Sequence, residues 1–487
     1  MRKKFKVAAY TLCVIYGLSN MAYASGGDQN GLEIYAPHQA PDNMTMTEKA
    51  LHRRAIEIAI WAQPLMNYKA IYDSLHKAVG MNYNGDVVYH GEIQNWKRAI
   101  PTSNNTTQYI NFFWDLHQGP VVVKIPASEN GVILYGTLLN SWHGAIEDYG
   151  EGGEDHGLGA KYLMIPPNYK GYIPESGYIV FQQKTYFGFT FLRTIVKDKT
   201  KETLQKAIDL VKKIEVYPFS EAANPKSTNH IDLTGKDIDG IVKFDAGLYK
   251  NLHEILEQEY LEDKDLAMMG MLEAMDISKG QPYKTNARRD AILDDAAKDA
   301  HEYMAFLFHN GDMIPPYYKG KQWTNALPPT LHGFDFEYAS HLDYNRRGSL
   351  YYAIFSSIKH LGATSFYLNV AKDKAGNWLD GSKSYKLTVP ANVPADMFWA
   401  LTAYDMKTAA FIRNVPSAGV SSLDKGFEVN KDGTVDVYIG PKAPKGKEVN
   451  WVPTKEGHKF FMMARFYGPR DAVFTKKWQF DDVELMK

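Results

Sequence analysis

Two stretches of this chain place a single arginine at the end of an otherwise apolar and aromatic run. They are Phe187-Gly188-Phe189-Thr190-Phe191-Leu192-Arg193 and Phe460-Phe461-Met462-Met463-Ala464-Arg465. A guanidinium on a strand this apolar must be paired or must face a cavity, because an isolated buried charge is costly. Trp114, Trp142, Trp399, Tyr404 and Trp451 lie on or near strands of the same two regions. Flat aromatic faces stack on sugar rings, and arginine pairs with carboxylates through its planar fork. Trp114, Trp142, Arg193, Trp399, Tyr404, Trp451 and Arg465 therefore form a candidate binding set for a polar small molecule or glycan. Packing accounts for several of them equally well. Trp399 shares a strand face with Met397, Leu401 and Ala403, which suits a core, and both arginines suit buried ion pairs.

Carboxylates near the ends of aromatic strands are the candidates for acid/base work on a glycosidic bond: Asp115, Glu147, Asp148 and Asp405. A glycine-rich loop holding Glu151, Glu154, Asp155 and His156 carries enough oxygen donors to suggest calcium, without the alternating pattern of an EF-hand. No other cofactor is indicated. The chain has no Gly-x-Ser-x-Gly elbow, no phosphate-cradling Gly-x-x-x-x-Gly-Lys loop and no His-Glu-x-x-His zinc helix.

The elements that position these residues read as two copies of one β module. Ile125-Pro126-Ala127 followed by Val132–Trp142 has the layout of Val389-Pro390-Ala391 followed by Met397–Asp405. Each copy next meets a proline with glycine five residues on, Pro166 to Gly171 and Pro441 to Gly446, and then its arginine-bearing strand. Short aromatic and β-branched runs between turn residues predict a sandwich. The expected fold is mainly β with helical insertions: two tandem jelly-roll-like β-sandwich modules joined by a helical segment. Met44–His76 and Lys201–Ile214 have helical spacing, with Pro64 expected to kink or interrupt the first. Phe244–Leu307 reads mainly as helices, and Phe427–Ile439 as a hairpin around Asn430–Gly433. The expected division is 1–24, a signal peptide; 25–220, a β module with a leading helix; 221–345, the helical segment; and 346–487, the second β module.

Arg2, Lys3, Lys4 and Lys6 precede an apolar stretch, Val7–Leu18, too short to span a bilayer, and Ala22-Tyr23-Ala24 supplies a cleavage signal before Ser25. An exported, periplasmic or secreted protein follows, with no integral membrane segment after cleavage. The single cysteine, Cys13, lies in the leader, which excludes a disulfide or thiolate chemistry in the mature chain. A net charge of −1 over 487 residues gives no footprint for nucleic acid. Nothing in the sequence fixes the oligomeric state.

Phe398–Asp405, Asn430–Gly433, Asn450-Trp451-Val452-Pro453 and Ala464–Pro469 together resemble the signature of exported bacterial proteins that pair two domains of unknown function, 1254 at the N-terminus and 1214 at the C-terminus. Pro101–Thr107 resembles the first domain's proline-asparagine-threonine element, with Thr106 where an aspartate is expected, and Trp114–Pro120 resembles the strand and turn after it. The resemblance implies two jelly-roll-like domains and no reaction. Where that pattern has a basic residue, the loop Gly150–Gly159 has acids, so no anion-binding role carries over to it. The leading functional expectation is an envelope protein that binds a glycan-like ligand in an aromatic, Arg- and Asp-lined cleft. A carboxylate-based hydrolase and a structural or virulence-associated interaction scaffold are the alternatives.

Overall fold

The computed structural model describes residues 32, 34–196, 200–310, 315–326, 334, 336–360 and 365–487; the predicted signal peptide lies outside them. The first helix, α1 (Met46–Val79), is opened by a capping box between Thr45 and Glu48 and closed by Gly80 in the left-handed conformation, φ 69°. It runs unbroken through Pro64, contrary to an interruption there. A proline removes one intrahelical donor. Neighbouring carbonyls on this turn are covered from outside: Trp61 O accepts Arg347 Nη2 at 3.0 Å, and Gly348 lies close against the Ile60 carbonyl.

Strands β1 (Asp86–Tyr89), β2 (Arg98–Ala99), β3 (Gln108–Asp115), β4 (Val121–Pro126), β5 (Ile133–Asn140), β6 (Ala145–Tyr149), β7 (Gly159–Ile165), β8 (Ile179–Gln182) and β9 (Phe187–Ile195) follow. After α2 (Lys201–Val211) come β10 (Glu215–Pro218), β11 (Asn229–Asp232) and β12 (Ile238–Asp239). The middle of the chain holds α3 (Gly247–Leu256), α4 (Leu266–Glu273), α5 (Ala287–His309), β13 (Thr324–Asn325) and α6 (Tyr344–Ala353). The last part comprises β14 (Ser365–Val370), β15 (Tyr385–Val389), β16 (Ala395–Asp405), β17 (Gly419–Ser421), β18 (Val435–Gly440), β19 (Trp451–Pro453), β20 (Phe460–Pro469), α7 (Asp471–Phe474) and β21 (Glu484–Leu485).

The N-terminal sandwich sets the sheet β11-β1-β3-β9-β5-β6 against β10-β4-β7-β8. The C-terminal one sets β13-β14-β20-β16-β17 against β19-β18-β15-β21. Strand for strand, β3 to β10 correspond in chain order to β14 to β21. Within each sheet the order β3-β9-β5-β6 matches β14-β20-β16-β17, and β10-β4-β7-β8 matches β21-β15-β18-β19. Even the rare parallel pairs coincide, β7 with β8 and β18 with β19. Two tandem β-sandwich modules are thus the architecture of the chain.

Each sandwich has its own core. Phe112, Trp114, Val123, Leu134 and Tyr162 fill the first, and Leu387, Leu401, Val437, Met462 and Phe466 the second. The opposite faces of the two larger sheets share a third layer. Phe113, Phe189 and Phe191 from one, with Tyr404, Phe461 and Met463 from the other, join the side chains of α1, α3, α4, α5 and α6 in one apolar cluster. The helical segment is therefore a common layer over both modules, not a spacer. The polar stretch after Pro218 contributes β11 and β12, which add to the N-terminal module by pairing with β1 and β2. The expected hairpin is half formed. The turn closes through Gly433 N to Asn430 O at 2.9 Å, but β18 pairs with β15 and β19, which leaves no edge for residues 427–429.

Candidate functional site

In β9 and β20 the side chains alternate between faces. Met462, Ala464 and Phe466 enter the C-terminal core, while Phe461, Met463, Arg465 and Tyr467 face outward, toward the helical layer and the other module. Arg193 has the equivalent position on β9. Cross-strand register flanks it directly with Tyr109 of β3 and Tyr135 of β5, and flanks Arg465 with Tyr367 of β14 and Ala400 of β16. Tyr109 and Tyr367 are thus equivalent residues in the two copies.

The modules meet on these faces. Tyr135 and Ile195 pack against Phe398 and Tyr467. Residues 102–106 cross from the first module onto the second: Thr102 N donates to Ala409 O at 2.7 Å, Asn104 Nδ2 bonds the Tyr467 hydroxyl, and the Tyr404 hydroxyl bonds Ser103 O. In the other direction, Asp148 of β6 accepts the backbone N–H groups of Lys359 (3.0 Å) and His360 (2.6 Å). Both arginines converge on Tyr367. Arg193 Nη1 donates to its hydroxyl at 3.1 Å, and the Arg465 guanidinium carbon lies 5.6 Å from its ring centre. Arg193 also lies over Tyr135 at 4.9 Å and Tyr109 at 5.2 Å. Arg465 donates to Thr402 Oγ1 (3.1 Å), Thr102 O (3.0 Å) and Tyr404 Oη (2.6 Å).

Between them is a cavity of about 80 Å³, bounded also by Thr102, Phe191, Met463, Ser365 and the segment 354–360. At the ~10–15 Å³ that one water needs on this scale, it holds roughly five to eight waters or a ligand of similar size. Both guanidiniums are buried, and among the described residues neither has a carboxylate within ion-pair distance. The Tyr135 hydroxyl and Arg193 Nε, both buried, have no hydrogen-bond partner there. Burial alone would push the Tyr367 hydroxyl up. The positive charges of Arg193 and Arg465, with hydrogen bonds from Ser365 (2.8 Å) and Arg193, bring it below the usual tyrosine value. Asp148 is the buried carboxylate of the wall. Burial raises it against its bonds to the Lys359 and His360 amides and to Thr137 Oγ1 at 2.8 Å, so its oxygens are engaged in holding the segment 354–360. The arrangement supplies fixed positive charge and tyrosine hydroxyls to a small space partly open to solvent, which suits an anion with further polar groups.

Of the seven residues expected to bind ligand, Arg193 and Arg465 line the cavity, and Tyr404 supports Arg465 from behind. The four tryptophans lie elsewhere. Trp114 is in the N-terminal core against Gly188, Trp142 packs at a tilt against Trp61 in the helical layer with ring centres 4.8 Å apart, and Trp399 is in the C-terminal core against Phe427. Trp451, half-buried, donates Nε1 to Gly440 O at 2.9 Å. Tryptophan is large enough that burying it dominates its placement. Of the four candidate catalytic carboxylates only Asp148 borders the cavity, where Glu151 of the acidic loop, exposed, also lies. Glu147 is buried and paired with Lys359 Nζ at 2.5 Å, Asp115 accepts His117 N at 2.9 Å near the surface, and Asp405 accepts Lys407 N at 2.8 Å and the His458 ring. In the acidic loop, Asp155 braces the turn by accepting Gly150 N (2.9 Å) and Gly159 N (3.2 Å), and no three of Glu151, Glu154, Asp155 and His156 converge as cation ligands. Sequence reasoning missed Tyr109, Tyr135 and Tyr367. Laying the two copies over each other at their arginines would have found the first and third, since both occupy the neighbouring strand at the same register.

Tandem sandwiches with a shared helical layer and a cavity between the modules define a two-domain β protein. Residues 86–218 match the family described as protein of unknown function (DUF1254), and residues 364–471 match that described as protein of unknown function (DUF1214). The chain belongs to the proteins that carry these two domains in this order. Its fold is similar to that of the VPA0106 protein from Vibrio parahaemolyticus, with a TM-score of 0.53 at 16% identity over 90% of this chain and 100% of that one. A putative uncharacterized protein from Burkholderia cenocepacia gives a TM-score of 0.39 at 11% identity, covering 91% of this chain and 94% of that one. No curated protein matches the chain. Among the described residues no helix is long and apolar enough to cross a membrane.

Proposed function

We propose that this protein is an exported binding protein for a small organic anion, held between Arg193 and Arg465 in the inter-module cavity. The observation that carries the reading is the pair of buried guanidiniums that share Tyr367 and lack a carboxylate partner among the described residues. Burying such charges costs several kcal/mol each, roughly, unless they are compensated, and an anionic ligand supplies the compensation. The volume of about 80 Å³ favours a compact carboxylate, an acidic monosaccharide included, over an extended glycan chain. The basic leader and the Ala22-Tyr23-Ala24 site support export. A hydrolase would need two available carboxylates facing one cavity; of the two that border this one, Asp148 has its oxygens already engaged and Glu151 is exposed at the surface.

The test is calorimetric titration of the chain from Ser25 onward with small mono- and dicarboxylates, uronic acids and phosphate. Saturable binding that weakens with salt and is lost in Arg193→Met is the expected result. Binding of neutral sugars with equal strength, or anion binding that survives Arg193→Met, would overturn the reading. Mass spectrometry of the protein recovered from the periplasm checks for an N-terminus at Ser25.

A further inference from the structure

The phenol that both arginines share is arranged to do more than hold a ligand in place. Ser365 and Tyr367 are two apart on β14 and so share its outer face. The Tyr367 oxygen accepts Ser365 Oγ at 2.8 Å and Arg193 Nη1 at 3.1 Å, and among the described residues its own proton has no acceptor. Its side chain is only partly buried and lines the cavity. An oxygen that receives two donors and passes its proton to none is favoured as the anion. The positive charges of Arg193 and Arg465 act in the same direction and hold the group below the usual tyrosine value.

Charge counting separates this site from a simple anion trap. One bound carboxylate answers one guanidinium and leaves the other over. The acidic groups that face both arginines are tyrosine hydroxyls, those of Tyr109, Tyr367 and Tyr467 among them. An ionised Tyr367 supplies the missing charge, so that two guanidiniums balance one phenolate and one carboxylate. The balance survives a proton transfer. When the phenolate takes a hydrogen from the carbon next to the carboxylate, the tyrosine becomes neutral and the acid becomes a doubly charged enediolate. Both negative charges then lie against the same two guanidiniums. Fixed positive charge aimed at a developing anion is the strongest help an enzyme gives to such a step.

We propose that the cavity is the active site of a lyase, in which Tyr367 removes water or an alcohol from acids that carry hydrogen on the carbon next to the carboxylate and oxygen on the following one. The proposal rests on the reading of the cavity as a carboxylate site. Arg193, whose Nε is unpartnered among the described residues, pairs with the carboxylate. Arg465, fixed by its bonds to Thr402, Thr102 and Tyr404, supplies the second charge. Tyr367 Oη takes the proton, and the electron pair of that C–H bond becomes the second bond of a C=C. The C–O bond on the next carbon breaks. Its oxygen keeps the electron pair, receives the proton back from Tyr367 and leaves as water or an alcohol. No oxidant or reductant enters, and Tyr367 returns to its starting state. Uronic acids substituted at O4 belong to this class, as do small 3-hydroxy acids.

The experiment incubates the chain from Ser25 onward in heavy water with galacturonic acid, its 4-O-methyl ether and malate. Proton NMR follows exchange of the hydrogen next to the carboxylate, ultraviolet absorbance follows the unsaturated acid, and calorimetry measures binding separately. The expected result is exchange or elimination with an acid that binds, at a rate rising with pH to a plateau reached below about 10, the ordinary tyrosine value. Tyr367→Phe, near-isosteric, should bind that acid at least as tightly, because a competing negative charge is gone. It should turn the acid over at least about a hundredfold more slowly, the low end for general acid–base catalysis. Ser365→Ala removes one donor to the phenol oxygen and should move the midpoint of the pH profile upward. Binding without exchange or elimination in the wild-type chain overturns the proposal and leaves the carboxylate site standing. Turnover unchanged in Tyr367→Phe, or a midpoint unmoved in Ser365→Ala, also overturns it. Failure of the wild-type chain to bind any of the acids removes both readings.

Discussion

Replacing Arg193 and Arg465 one at a time by methionine should give two different proteins. Methionine keeps the length and the apolar stem and removes the charge and its donors. Among the described residues Arg193 makes one side-chain hydrogen bond, to Tyr367, and leaves Nε without a partner; Arg465 makes three, to Thr402, Thr102 and Tyr404. Each substitution regains the desolvation cost of a buried guanidinium, several kcal/mol by rough account. The difference between the variants therefore rests on the two extra hydrogen bonds of Arg465, at ~1.5 kcal/mol each for a charged donor. Arg465→Met should be about 3 kcal/mol less stable than Arg193→Met on that account, and Arg193→Met should be at least as stable as the parent, its one lost bond outweighed by the regained desolvation. Urea unfolding without ligand measures both, and both variants should lose anion binding. Equal destabilisation of the two would refute the reasoning, because Arg193 would then be a satisfied structural residue and not a group awaiting a ligand.

Glu259 is buried, and desolvation raises it to about 7 against hydrogen bonds from Ser141 and the Tyr186, Tyr260 and Phe187 amides. A raised carboxyl contributes stability below its unfolded value and loses it as pH rises through the folded one. Wild type should therefore lose on the order of 3 kcal/mol between pH 4.5 and 7 relative to Glu259→Gln, which urea titrations at several pH values would detect. Gly188→Ala should destabilise the N-terminal sandwich by about 3 kcal/mol, an overpacking cost, since an added methyl would sit 2.3 Å from the Trp114 ring; chemical unfolding of the variant checks it. Asn104→Ala removes one of the partners of the Tyr467 hydroxyl, which keeps Thr106 Oγ1 at 3.2 Å, and the acceptor of Thr106 N, at a cost of about 2 kcal/mol. Calorimetry should then show the two modules unfolding less cooperatively, and a single unchanged transition would argue against residues 102–106 as the tie between them.

Most of the β architecture was legible because it rests on local alternation. Phe460 to Tyr467 divide between two faces as period two requires, and turn residues mark the same breaks in both copies. The hairpin at 427–439 misled because alternation says that a strand has two faces, not which neighbour takes its edge. The site was half legible. An arginine on an apolar strand announces a special environment wherever the strand goes, and Arg193 and Arg465 both reached the cavity. The tryptophans carried no comparable signal, since a large ring suits a core as well as a cleft.

The amino-acid sequence by itself determined the duplication, the strand periodicity and the presence of two arginines that had to be compensated, because each follows from the order of residue types along a few neighbouring positions. The tertiary structure alone decided that those arginines share one tyrosine, that residues 102–106 cross between modules, and that His38 meets α5 across 257 positions of chain. Such meetings depend on how whole sheets and helices dock. Docking is set by the summed burial of many side chains, which no short stretch of sequence contains.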